Sequence, residues 1–188
     1  LTKPTLTVTP DSPVFTGETV NLKCEIKSDH SDWSYVWYKD STNKPMLQTS
    51  DHYTVNGDTL TIRAADKADA DQYWCKGKRD GQPDSEFSDF IKLYVKDLPT
   101  STLTVTPDSP VFTGETVNLK CVIESDHSDW RYEWYKGSNK VSDHHTVNRD
   151  THTIRVKKSD EGQYTCKGQR DGRPNSSQSS SAVSLSVT

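Results

Sequence analysis

The chain reads as a succession of short stretches in which apolar and polar residues alternate. Val20, Leu22 and Cys24 are interleaved with Thr19, Asn21 and Lys23. A period of two turns one face of a strand inward and leaves the other in water. Trp33, Tyr35 and Trp37 follow the same rule, as do Leu60 with Ile62, and Ile91 with Leu93 and Val95. Turn signals separate these runs: Pro10 to Pro13, Thr16-Gly17, Asn56-Gly57-Asp58 and Asp80-Gly81. An Asp-Gly pair between two such runs predicts a hairpin. No apolar stripe at helical spacing exceeds a single turn. The pattern predicts an all-β chain built as an antiparallel sandwich.

The pattern occurs twice. Residues 6–24 and 103–121 are the same letter for letter, LTVTPDSPVFTGETVNLKC. The match continues through SDHSDWSYVWYK and SDHSDWRYEWYK, and returns at DQYWCKGKRDGQP and GQYTCKGQRDGRP. A period of about 90 residues is too long for a solenoid repeat and fits two whole domains in tandem. The predicted domains are 1–98 and 99–188, with Pro99 stiffening the junction. The second copy is shorter between its third and fourth runs. That leaves no room for the two extra strands of a variable-type sandwich, so a constant-like or intermediate type is expected.

Composition sharpens this. Leu, Ile, Val and Phe make up only 34 of 188 residues, a level that by itself suggests disorder. A net charge of only −4, five Trp, eight Tyr and four Cys point the other way. The mildly acidic balance gives no reason to expect a nucleic-acid partner. No apolar run is long enough to span a membrane, and no charged start precedes an apolar leader.

The cysteines supply the frame. Cys24 and Cys75 lie 51 positions apart, Cys121 and Cys166 lie 45 apart. Trp37 and Trp134 each follow the first Cys of their copy by 13 residues, and Tyr73 and Tyr164 precede the second Cys by two. This spacing resembles the immunoglobulin sandwich. The resemblance implies one disulfide across the core of each unit, a Trp packed on it, and a Tyr hydroxyl closing a corner. Cross-links of this kind belong to an oxidising, extracellular compartment.

P-x-L-x-V-x-P from Pro4, VFTGETVNLKC, W-S-Y-V-W-Y-K and D-Q-Y-W-C-K together resemble the leukocyte Fc receptor and Fc receptor-like family, in particular its bony-fish leukocyte immune-type receptors. The resemblance implies the ectodomain of a cell-surface receptor, a glycoprotein attached to the plasma membrane through a segment outside this chain, or else a secreted form. It implies a protein ligand, an immunoglobulin Fc or an MHC-like molecule. A cell-adhesion module that binds itself or another protein of the superfamily is the alternative.

No catalytic or cofactor-binding constellation is present: there is no G-x-S-x-G, no glycine-rich phosphate loop and no H-E-x-x-H. The expectation is no enzyme, no cofactor and no metal. His30 and His127, each in S-D-H-S-D, are expected in solvated turns. His152 stands where Leu60 stands in the first copy and would weaken the second core if it faces inward.

Partner contacts on a sandwich fall to loops and sheet faces. By loop position, the family's ligand-contacting segments map onto Asp129, Trp130 and Arg131, onto 142–148 with His144 and His145, onto 169–173 with Arg170, Asp171 and Arg173, and onto the linker near Pro99. Parity places Trp33 and Trp130 at the inward end of the core, and the alternative is an exposed aromatic anchor. Trp74 alternates outward and is a further candidate contact. Asn175-Ser176-Ser177 is a glycosylation sequon beside the same loop, and the serine run 176–181 reads as flexible. Residues 1–97 carry net −4 and 98–188 net zero, which tilts the binding expectation to the second domain.

Overall fold

The computed structural model describes residues 2–46, 50–141 and 149–188. The chain forms two compact units, Leu1–Asp97 and Leu98–Thr188. The first holds β1 (Thr5–Thr9), β2 (Val14–Phe15), β3 (Val20–Glu25), β4 (Ser34–Lys39), β5 (Tyr53–Asn56), β6 (Thr59–Ile62), β7 (Gln72–Lys78), β8 (Ile91–Lys92) and β9 (Val95–Lys96). The second holds β10 (Ser101–Thr106), β11 (Thr116–Ile123), β12 (Arg131–Lys136), β13 (Asn139–Lys140), β14 (Thr151–Arg155), β15 (Gly162–Gln169) and β16 (Val183–Leu185).

In the first unit β1-β3-β6-β5 form one sheet and β4-β7-β8 the other. Burial alternates strictly along β3, with Val20, Leu22 and Cys24 sealed from solvent. Between β1 and β2 lie Pro10 and Pro13, which cannot donate to a ladder. The strand leaves β3 there, and Val14 pairs in parallel with Val95. The second unit repeats this, with β10-β11-β14 in one sheet, β13-β12-β15-β16 in the other and a parallel bridge from Val111 to Val187. Its shorter connection turns at Gly137, whose φ of +58° suits a two-residue hairpin, directly into β13.

The cores follow the cysteine frame. Cys24–Cys75 and Cys121–Cys166 are bonded, with Cα–Cα distances of 6.2 and 6.0 Å. Trp37 stands opposite Cys75, and Trp134 opposite Cys166. The Tyr73 hydroxyl donates to the Asp69 carbonyl at 2.7 Å, and the Tyr164 hydroxyl donates to that of Asp160. His152 does face inward, in the register position of Leu60: it pairs with Leu119 as Leu60 pairs with Leu22, and it stacks on Trp134 at 5.5 Å.

Two expectations change. Asp80-Gly81 does not make a tight hairpin; it turns within the longer connection from β7 to β8. The serine run is not a flexible loop. Ser177 and Ser180 are buried, and their hydroxyls accept the amides of Gly168 and Cys166 at 2.8 and 2.9 Å. Ser85 and Ser88 do the same for Gly77 and Cys75. A serine hydroxyl can satisfy a buried amide where the neighbouring backbone departs from regular pairing.

Candidate functional site

Two of the segments singled out in the second unit, 129–131 and 170–173, lie at one end of its sandwich. Arg131 opens β12 and lies opposite Gln169, the last residue of β15. That pairing sets Asp129 and Trp130 beside Arg170, and Arg131 beside Asp171. Arg170 is 9% exposed and its guanidinium is consumed internally. It donates to the Pro174 carbonyl at 3.0 Å and to the Asp129 carboxylate at 3.0 Å, meets the His127 ring at 3.1 Å, and lies 5.7 Å above Trp130. The hydrogen bond from Arg170 holds the Asp129 carboxyl below the usual aspartate value.

Trp130 is 5% exposed: it takes the inward place that parity gives it, so the alternative of an exposed anchor falls and its candidacy as a ligand contact is corrected. It fits because residue 168 is glycine. A Cβ there would lie 2.2 Å from Ile123 Cδ1 and 2.8 Å from Trp130 Cε3. The first unit builds the same clamp: Arg79 pairs with Asp32 at 2.9 Å, lies 5.4 Å from Trp33, and depends on Gly77. Arg170 is therefore a structural cation, which corrects its place among the candidate ligand contacts. A sequence shows the charge but not the carbonyl and indole that enclose it.

Accessible at this end are Asp129, Arg131, Asp171, Arg173 and Asn175. Arg131 and Asp171 pair at 3.1 Å, with Asp171 91% exposed. A rigid base formed by Arg170, Trp130 and Ser177 thus presents a small, mixed-charge rim. His144, His145 and the rest of 142–148 lie outside the described residues.

Trp74 lies on the outer face of β7, opposite Tyr38 of β4. Sequence reasoning missed its company. Phe90 packs on it at 5.9 Å, and Phe87 packs edge-on against Tyr38 at 5.1 Å. Lys76 lies 5.0 Å from the Phe87 ring and pairs with Asp84 at 3.0 Å.

His52, Asp66 and Asp69 place three metal-ligand groups within 4.8 Å of one another. The Asp69 carboxylate is already engaged: Tyr53 donates at 2.5 Å, the Asp66 amide at 2.9 Å, and His52 Nε2 lies at 2.7 Å. Burial opposes the charge on Asp69, but these bonds outweigh it and hold the carboxyl below its ordinary value. The group locks the turn before β7.

Among the described residues no helix is long and apolar enough to cross a membrane. The family model for the immunoglobulin domain matches residues 3–78 and 99–169. The basement membrane-specific heparan sulfate proteoglycan core protein of Mus musculus is 25% identical over 178 residues, 87% of this chain. The chain spans only 4% of that relative's length. Among solved structures, the human OSCAR ligand-binding domain is 21% identical over 97% of both chains, with a TM-score of 0.42. The N-terminal four immunoglobulin domains of Dscam1 isoform 7.44 are 17% identical, over all of this chain and 46% of that one, with a TM-score of 0.39.

Proposed function

We propose that this chain, which belongs to the immunoglobulin-domain family, is the extracellular part of an immune receptor of the Fc receptor-like branch, and that it binds a protein ligand without catalysis. The ligand is an immunoglobulin Fc or an MHC-like molecule. One observation carries this reading: the second unit holds Arg131, Asp171 and Arg173 accessible at the edge of a rigid end, over the buried Arg170–Trp130 base. Rigid presentation lowers the entropy lost on binding, and exposed charges at a rim act chiefly on association rate. The two disulfides and the likeness to a basement-membrane protein support an extracellular setting.

Surface-plasmon binding of the whole chain to purified immunoglobulin Fc and to MHC class I tests it. Binding to one of them, slowed by Arg173→Ala and with a flatter salt dependence, is expected. Silence on both from folded protein ends this ligand assignment. Adhesion, the second reading, would then be tested by binding to other proteins of the superfamily.

A further inference from the structure

The internal repeat supplies a control for which surface residues the fold requires. Register equates positions of the two units one by one. Trp74 opposes Tyr38 as Thr165 opposes Tyr135. Lys92 opposes Gln72 as Ser184 opposes Gln163. The Tyr94 carbonyl accepts from Val14 as the Ser186 carbonyl accepts from Val111. The Ser88 amide donates to the Cys75 carbonyl as the Ser180 amide donates to that of Cys166, so in the segments before β8 and β16 Phe87 and Phe90 answer to Ser179 and Ala182. The inward residues keep their apolar character, Ile91, Leu93 and Val95 against Val183, Leu185 and Val187.

So the first unit adds aromatics or a cation at five outward positions where the second, with the same fold, has Thr, Ser or Ala. All five lie on one sheet face. Phe90 and Tyr94 remain 51% and 54% exposed. Large exposed aromatics that stability does not demand mark a binding surface. Beside Phe90 lies a depression of about 270 Å³ lined by Pro4, Leu6 and Ile91 and, on its polar side, by Lys3, Thr5 and Asp89.

Charge identifies the partner. The first unit is acidic overall, yet this face carries Lys76, Lys78 and Lys92; Asp84 pairs with Lys76 at 3.0 Å and Asp89, beside Phe90, pairs with Lys3 at 2.8 Å, so Lys78 and Lys92 set the sign of the face. Lys92 lies 5.3 Å from the Tyr94 ring and makes no ion pair among the described residues. Self-pairing across a two-fold axis would set two such cationic faces together. We propose that the outer β4–β7–β8 face of the first unit docks a protein surface with an apolar centre and a rim of carboxylates. This is a second surface, apart from the rim at the end of the second unit.

The control residues also provide the test. In the triple variant Trp74→Thr, Phe90→Ala, Tyr94→Ser each substitution is one that the second unit already carries at that register. The whole chain and this variant are titrated by NMR with two synthetic peptides, Glu-Glu-Trp-Leu-Glu-Glu and Lys-Lys-Trp-Leu-Lys-Lys, following the Lys92 amide in both and the Trp74 indole in the unsubstituted chain. Expected is binding of the acidic peptide at least tenfold tighter than the basic one, reduced at least tenfold in the variant. Equal binding of both, no binding, or no loss in the variant overturns the proposal. So does a dimer in sedimentation equilibrium that the variant abolishes, which would assign the face to a second copy. Neither immunoglobulin nor MHC enters this test, so its failure leaves the ligand assignment above intact.

Discussion

Replacing Arg170 by Ala separates a structural role from a binding one. The guanidinium is buried and donates to the Pro174 carbonyl at 3.0 Å. A charged donor on a carbonyl contributes about 1.5–3 kcal/mol, and losing it leaves the carbonyl unpaired. Its stacking on Trp130 at 5.7 Å adds roughly 0.5–1 kcal/mol. The pair with Asp129 adds little, because that carboxylate is 61% exposed and screened. The expected loss is therefore about 2–4 kcal/mol, confined to the second unit. For a domain of this size that lowers the melting temperature by on the order of 10–20 °C. Calorimetry of the whole chain reads the shift, and hydrogen exchange locates it at the Gly168 and Ser177 amides. Arg79→Ala is the internal comparison. Arg79 pairs with Asp32 and covers Trp33 but bonds no carbonyl among the described residues, so its loss is expected to be smaller. If Arg170→Ala leaves melting and exchange unchanged while slowing association with a ligand, the structural assignment is wrong.

Three further outcomes are expected. Reduction of the disulfides removes about 4 kcal/mol from each unit in the chain-entropy model; the second, with His152 at the position of Leu60, unfolds first, and His152→Leu reverses or abolishes that order in hydrogen exchange. Gly168→Ala forces Ile123 and Trp130 aside and costs about 1–3 kcal/mol by overpacking, seen as a lost near-ultraviolet tryptophan signal and a lower melting point. The depressed carboxyl of Asp69 contributes stability that is present above the ordinary aspartate value and lost as pH falls through the folded value, so Asp69→Asn flattens the acid limb of the first unit's unfolding curve followed by fluorescence; an unchanged limb removes Asp69 from that role.

The sequence alone determined the two units, the inward faces of their strands, the cysteine frame and the tyrosine corners. Each of these rests on local alternation or on covalent chemistry, and each is written twice with matching offsets. It set His152 at the position of Leu60 but left its facing open, which the pairing with Leu119 and the stacking on Trp134 decide. It did not reveal that Arg170 is enclosed, because the enclosing groups, Trp130 and the Pro174 carbonyl, come from separate segments that only the β12–β15 pairing brings together. Composition made the serine run look mobile. Burial shows Ser177 and Ser180 satisfying amides of β15, an accounting that exists only once the strand edge is in place. Trp74 was visible as an outward residue, but the aromatic face needed Phe87 and Phe90 returned beside it by the next strand. Short-range periodicity decides what is inside. Which outward residues act together is decided by strand pairing over distances that periodicity does not encode.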